Sequence, residues 1–245
     1  MKKIVFVIGA SMFFSYAFAQ DSALIKSPKS KKISLNNRPG DHLLIQLSSD
    51  HLNGMTDSIR THQKGLSHGF NIYFMLDKPF KASPNYSVAF GVGISTSNIT
   101  FRRMNLGVNA TLPQMPFTAL DSTSHFKHYK LATSYAEIPV EIRYFSNPED
   151  PNKSWKAALG ARVGVLVNAH TKGKILVDKN GNTLNNFTEK EISRRFISST
   201  RLMATARVGY GILSLFGAFQ VNTLLKDGAG PAMNLYQIGL TVSGL

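Results

Sequence analysis

A chain of 245 residues with no cysteine has no disulfide and no thiolate chemistry. Past the first twenty residues, no run approaches the roughly 18 consecutive apolar residues that a spanning helix needs, which excludes helical membrane spans. The formal charge of +14 is strongly basic and calls for an anionic counterpart.

The chain opens as a secretory signal. Lys2 and Lys3 precede an apolar run from Ile4 to Phe18, and Ala17-Phe18-Ala19 supplies a small-x-small cleavage site. The expected signal peptide is residues 1–19, with the mature chain beginning near Gln20. No cysteine follows the site, so a lipid-anchored start is excluded. An exported chain meets no nucleic acid, which leaves anionic lipid phosphates as the counterpart of its charge. Residues 20–41 read as a flexible basic periplasmic leader, with Lys26, Lys29, Lys31 and Lys32 among Ser and Pro. Asn36 to Gly40 is turn chemistry ahead of the first strand.

From there to the end, apolar residues recur with period two, the mark of strands with one apolar face. The first segment sets Leu43, Ile45 and Leu47 against Leu44, Gln46 and Ser48. The second sets Phe70, Ile72, Phe74 and Leu76 against Asn71, Tyr73, Met75 and Asp77. The third runs from Tyr86 to Ser95, with Ala89, Gly91 and Gly93 opposite its large residues. The fourth sets Ala136, Ile138, Val140, Ile142 and Tyr144 against Glu137, Glu141 and Arg143. The fifth runs from Trp155 to Asn168, with Gly160, Arg162 and Gly164 on its polar side. The sixth, Leu202 to Tyr210, carries Arg207. The seventh and eighth run from Leu213 to Asn222 and from Tyr236 to Ser243.

The connections alternate long (49–66, 98–130, 172–198, 226–232) and short (78–84, 146–153, Gly209 to Gly211). With a periplasmic N-terminus, every short turn falls in the periplasm and every long loop outside. The expected fold is all-β: an eight-stranded antiparallel up-and-down transmembrane β-barrel over residues 42–245. A soluble ligand-binding barrel has the same alternation with its apolar face turned inward. The small Gly, Ala and Ser of the other face favour the membrane form, since they suit a crowded lumen. Phe80, Tyr86, Tyr129, Tyr135, Tyr144, Phe145, Trp155 and Tyr210, near segment ends, are expected to form interfacial girdles.

Three stretches carry a family resemblance. Arg38-Pro-Gly-Asp-His-Leu-Leu-Ile-Gln-Leu-Ser-Ser-Asp-His, Gly69-Phe-Asn-Ile-Tyr-Phe-Met-Leu-Asp-Lys-Pro-Phe and Tyr135-Ala-Glu-Ile-Pro-Val-Glu-Ile-Arg-Tyr resemble the PorT-like outer-membrane β-barrel family of Bacteroidota, over roughly residues 37 to 245. The resemblance implies an outer-membrane location. Some relatives are linked to assembly of the type IX secretion machinery, which implies periplasmic or secretion-machinery partners.

Two constellations are candidate sites. Glu137, Glu141, Arg143, Arg162 and Arg207 lie on lumen-facing positions, where buried charges must pair; the expectation is a charge network that plugs the barrel. Arg102, Arg103, Lys127, Lys130, Lys172, Lys174, Arg194 and Arg195 flank the long loops at the level of lipopolysaccharide phosphates; they read either as lipopolysaccharide contacts, each worth on the order of 1 kcal/mol of attraction, or as a solvated charged rim. Ser48, Asp50, His51 and His68 have the residue types of a hydrolase site acting on lipid A, the alternative to a non-enzymatic barrel. His125 and His128 have no further likely metal ligand nearby. No cofactor is expected. Asp21-Ser22-Ala23, Asp57-Ser58-Ile59 and Asp121-Ser122-Thr123 are similar to the O-glycosylation sequon of Bacteroidota.

Overall fold

Alternation forces every second side chain onto one face, and the strands pair so that these faces coincide. The computed structural model describes residues 42–244. The expected signal peptide, the leader of residues 20–41 and the motif at Asp21 lie outside the described residues. The elements in chain order are β1 (Leu43–Asn53), α1 (Asp57–His62), β2 (His68–Pro79), β3 (Tyr86–Phe101), β4 (Met104–Leu106), β5 (Phe117–Ala119), β6 (His125–Phe145), β7 (Trp155–Val177), β8 (Thr183–Ile192), β9 (Thr200–Tyr210), β10 (Leu213–Gln220) and β11 (Asn234–Ser243).

Eight of the strands form a ring. They run β6-β3-β2-β1-β11-β10-β9-β7, all antiparallel, and β7 pairs back onto β6. Closure leaves no open edge in the ring, so its backbone groups are satisfied in hydrocarbon. β8 adds to the far half of β7 beyond the ring, and β4 with β5 makes a separate ribbon.

The outward face is apolar and exposed. Leu47, Phe74, Leu159 and Val165 are each more than 60% accessible, a surface that only lipid can cover. At the end with short turns, Tyr86 packs on Tyr144 (ring centroids 5.1 Å apart) and Trp155 on Tyr210 (5.6 Å), a belt of amphipathic rings. The apolar band ends near Phe70, Ile94, Ala136, Val167 and Phe219, above which outward positions become Thr96, Asn98, Ser134 and Asn168. Phe80 also faces outward, but Tyr129, Tyr135 and Phe145 are buried inside and belong to no girdle. Each has the opposite parity to the outward residues of its strand, and parity overrides nearness to a strand end.

The long connections are not plain loops. β3, β6 and β7 extend well past the apolar band into the spans 98–130 and 172–198, which also contain β4, β5 and β8. The reason is an apolar cluster at the loop end. Inward residues of the extended strands (Leu52, Phe101, Leu131, Leu166, Leu235) pack against Ile59, Leu106, Met115, Phe196, Leu225 and Met233 from the connections. Burying each such side chain contributes roughly 1.5–3 kcal/mol. The cluster ties the connections into a folded cap over the mouth of the ring.

Candidate functional site

The lumen is built from rungs in which large polar side chains alternate with glycine. One rung reads Tyr73, Gly93, Glu137, Gly164, Arg201 around β2, β3, β6, β7 and β9. A Cβ at Gly164 would stand 2.9 Å from Cγ of Glu137, and one at Gly93 2.4 Å from the Tyr73 ring. The bare backbone there lets long side chains lie across it and meet. Arg201 donates from Nε (2.9 Å) and Nη2 (2.5 Å) to Glu137 Oε1. The Tyr73 hydroxyl donates to the other carboxylate oxygen at 2.5 Å. The Arg201 guanidinium also stacks on the Tyr135 ring, 4.1 Å from its centroid.

Toward the turn end, Glu141 accepts from Arg143 Nε at 3.0 Å and pairs with Arg207 at 3.3 Å, while Arg143 also lies 3.5 Å from Asp77. Toward the loop end, Asp50 accepts from Ser48 and Ser97 (2.5 Å each) and from the Gln237 amide (3.0 Å). Of the five residues expected in the lumen network, Glu137, Glu141, Arg143 and Arg207 form ion pairs. Arg162 is in the lumen but does not bond a carboxylate. It donates to the Tyr73 hydroxyl (3.0 Å) and to Gln46 Oε1 (2.9 Å), because Pro139 and Met203 flank it in its rung. Arg201 and Asp77 also belong to the network, beyond the five residues expected from the sequence. Arg201 shares the parity of Met203, Thr205 and Arg207 one step before the segment read as the sixth strand, and that parity was the available signal.

The residues of the hydrolase alternative are separated by the same parity. Ser48 and Asp50 face the lumen. His51 faces outward, stacked 5.2 Å from Tyr236 and bonded to Ser49, and His68 is exposed at the start of β2. Among the described residues the Ser48 hydroxyl donates to Asp50 and bonds no imidazole. Among the described residues no group of three or more His, Asp or Glu is placed to hold a metal. Ser58 and Ser122, of the two glycosylation-like motifs that are described, are exposed at the loop end.

The second locus lies above the apolar band, with Lys130, Lys172 and Lys174 on the outward face. Six of the eight basic residues expected there, Arg102, Arg103, Lys127, Lys130, Lys172 and Lys174, line one cleft of about 580 Å³ together with His125 and His128. Lys130 stands directly opposite Lys172, and Lys172 opposite Lys190, so three ammonium groups share one rung. The Lys130 ammonium donates to Asn98 Oδ1 at 2.7 Å. Burial, then the charges of Lys172 and Lys174, push its pKa below the usual lysine range. Burial and the charges of Lys190, Lys130 and Lys172 likewise lower that of His170 in the next rung. Arg194 and Arg195 do not join the cleft. They lie in the connection after β8, where Arg194 approaches the Val167 carbonyl at 3.5 Å and Arg195 donates to that of Thr111 at 3.0 Å. The turn out of β8 carries them toward the cap.

A closed ring with a charged, side-chain-filled lumen and a lipid-exposed apolar belt defines an integral β-barrel of the outer membrane. Residues 33–225 match the family described as "Outer membrane protein beta-barrel domain", and the chain belongs to that family. Among solved structures it is similar to Neisserial surface protein A (12% identity over 82% of this chain and 96% of that one, TM-score 0.34). It is also similar to Ail, the attachment invasion locus protein of Yersinia pestis (11% identity, 82% and 94%, TM-score 0.32). No curated protein matches the chain.

Proposed function

We propose that the protein is a non-enzymatic surface barrel, a sealed anchor that holds a folded head outside the outer membrane. The carrying observation is the double closure. The ion-paired rungs fill the lumen, and the apolar cluster of Leu106, Phe196 and Leu225 fills its loop-end mouth. Short turns at one end and long connections at the other orient the head outward. Nothing then has to pass through the barrel, and recognition falls to the head. Its partners in this reading are membrane lipid and lipopolysaccharide at the rim and, through the PorT-like resemblance of the first, second and fourth sequence segments, components of a secretion machinery of the type IX kind.

The test has two parts. Purified protein in a planar bilayer is expected to give no discrete conductance; stable single-channel steps overturn the sealed barrel. Deletion of the gene is expected to impair export of secreted proteins while lipid A keeps its mass. Normal export removes the secretion role, and a changed lipid A mass replaces the non-enzymatic reading by the enzymatic one.

A further inference from the structure

The outward basic cleft carries a cost that the barrel does not require. Like charges directly opposite in a sheet destabilise it, and the rung Lys130–Lys172–Lys190 sets three abreast. The rungs on either side bring no relief. On that face they hold Ala132, His170 and Ile192 below, and His128, Lys174 and Thr188 above. Strand β8 does carry carboxylates, but Glu189 and Glu191 pair with Gly173 and Thr171 and so point to the opposite face. Among the described residues no Asp or Glu lines the cleft. Arg103 adds a further cation from the turn after β3, where its backbone takes a left-handed conformation (φ 53°) that is uncommon for a residue with a side chain.

We infer that this cleft binds closely spaced phosphate groups borne by a glycolipid of the outer leaflet. Several cations converging on one concave site that no carboxylate lines match a ligand with two or more phosphates, each oxygen-rich and able to accept from several ammonium and guanidinium groups. The lipid-borne source follows from height. Lys130, Lys172 and Lys174 of the cleft stand on the same outward face that meets lipid lower down, Lys130 six residues along β6 above Ala136. At a strand rise of about 3.3 Å per residue and a tilt of about 40°, that is roughly 15 Å above the edge of the hydrocarbon. A lysine side chain leaning back toward the membrane shortens the gap to the headgroup layer. This inference rests on the outward orientation of the head proposed above.

The experiment uses the full barrel in phosphatidylcholine nanodiscs containing either bis-phosphorylated lipid A or the same lipid after phosphatase treatment, with bound lipid read by native mass spectrometry. Soluble inositol hexakisphosphate is the free-phosphate arm. The phosphorylated lipid is expected to bind at least tenfold better than the dephosphorylated one. K130Q/K172Q/K174Q is expected to abolish the preference, R194Q/R195Q to leave it intact, and K172R to retain it. Equal binding of the two lipids, or an unchanged preference in the triple variant, overturns the inference. Binding of inositol hexakisphosphate without binding of lipid A overturns the lipid-borne source. A gel shift between boiled and unboiled samples reports folding of every variant. Failure of the inference in correctly folded, non-conducting protein thus leaves the sealed-barrel reading standing, and a variant that does not fold is replaced by single K172Q under the same criteria.

Discussion

Glu137 and Arg201, 64 positions apart, meet inside the barrel by reaching across Gly164, which occupies the strand between them in the same rung. Both side chains are wholly buried. Arg201→Ala leaves the Glu137 carboxylate with only the Tyr73 hydroxyl among these partners. Removing one member of a buried pair costs about 3–5 kcal/mol. The expected outcome is a lower urea midpoint for the loss of the fast-migrating form on unboiled gels.

The same rung predicts a contrast between two glycines. A side chain at Gly164 enters the space of Glu137 Cγ, whereas one at Gly217, on the lipid-facing side, meets nothing within 4 Å. Gly164→Val is expected to lower stability by about 1–3 kcal/mol through overpacking, and Gly217→Ala to change it by less than about 0.5 kcal/mol. Equal effects of the two in urea titrations would refute the crossing geometry.

Glu141 is held between Arg143 and Arg207. Glu141→Ala takes a carboxylate partner from both Arg143 and Arg207 in the lumen. It is expected to lower the unfolding temperature yet open no conductance, since the cap at the loop end remains. Discrete bilayer currents from this variant would mean that the charge network alone seals the barrel.

The cap is expected to fail separately from the ring. Leu106 is fully buried in the loop-end cluster, and its backbone N–H donates to the Tyr129 hydroxyl at 3.1 Å. Leu106→Ala removes about 2–5 kcal/mol from the cap. Limited proteolysis should then cut between residues 102 and 124 while the heat-dependent gel shift persists. Loss of the shift along with the cap would show that ring and cap unfold as one unit.

The lysine rung carries an opposite sign. In detergent without anionic lipid, Lys172→Thr is expected to raise stability by about 0.2–1 kcal/mol, because it relieves repulsion from Lys130 and Lys190. Thermal unfolding of the two proteins side by side checks this. A lower midpoint in the variant would mean that Lys172 holds the strands together through contacts of its own.

Much of the ring was legible in the sequence because its signal is local. The order Ala136, Ile138, Val140, Ile142 against Glu137, Glu141 and Arg143 reads as two faces without knowledge of any neighbour, since a strand turns its side chains over every residue. The eight periodic segments are the eight strands of the ring. The lipid-facing sense of the apolar face was legible from the glycines opposite it, which leave room for side chains from other strands.

The cap was not legible in the same way. Leu106, Met115, Phe196 and Leu225 lie in stretches without period two, and their apolar character has no direction until the chain folds back over the ring. Position 201 was lost to a boundary, since its strand begins at Thr200 while the apolar alternation becomes visible at Leu202.

Strand parity, ring size, the lumen residence of Glu137, Glu141, Arg143, Arg162 and Arg207, and the alternation of short with long connections were determined by the sequence alone, because each is a property of near neighbours. Which charges meet was decided only by the tertiary structure. Register around the closed ring sets Arg201 one strand beyond Gly164 from Glu137, sets Arg162 beside Tyr73 and Gln46, and draws six of eight scattered cations into one cleft while turning Arg194 and Arg195 away. Pairing across strands depends on the stagger of the whole barrel, which no single segment encodes.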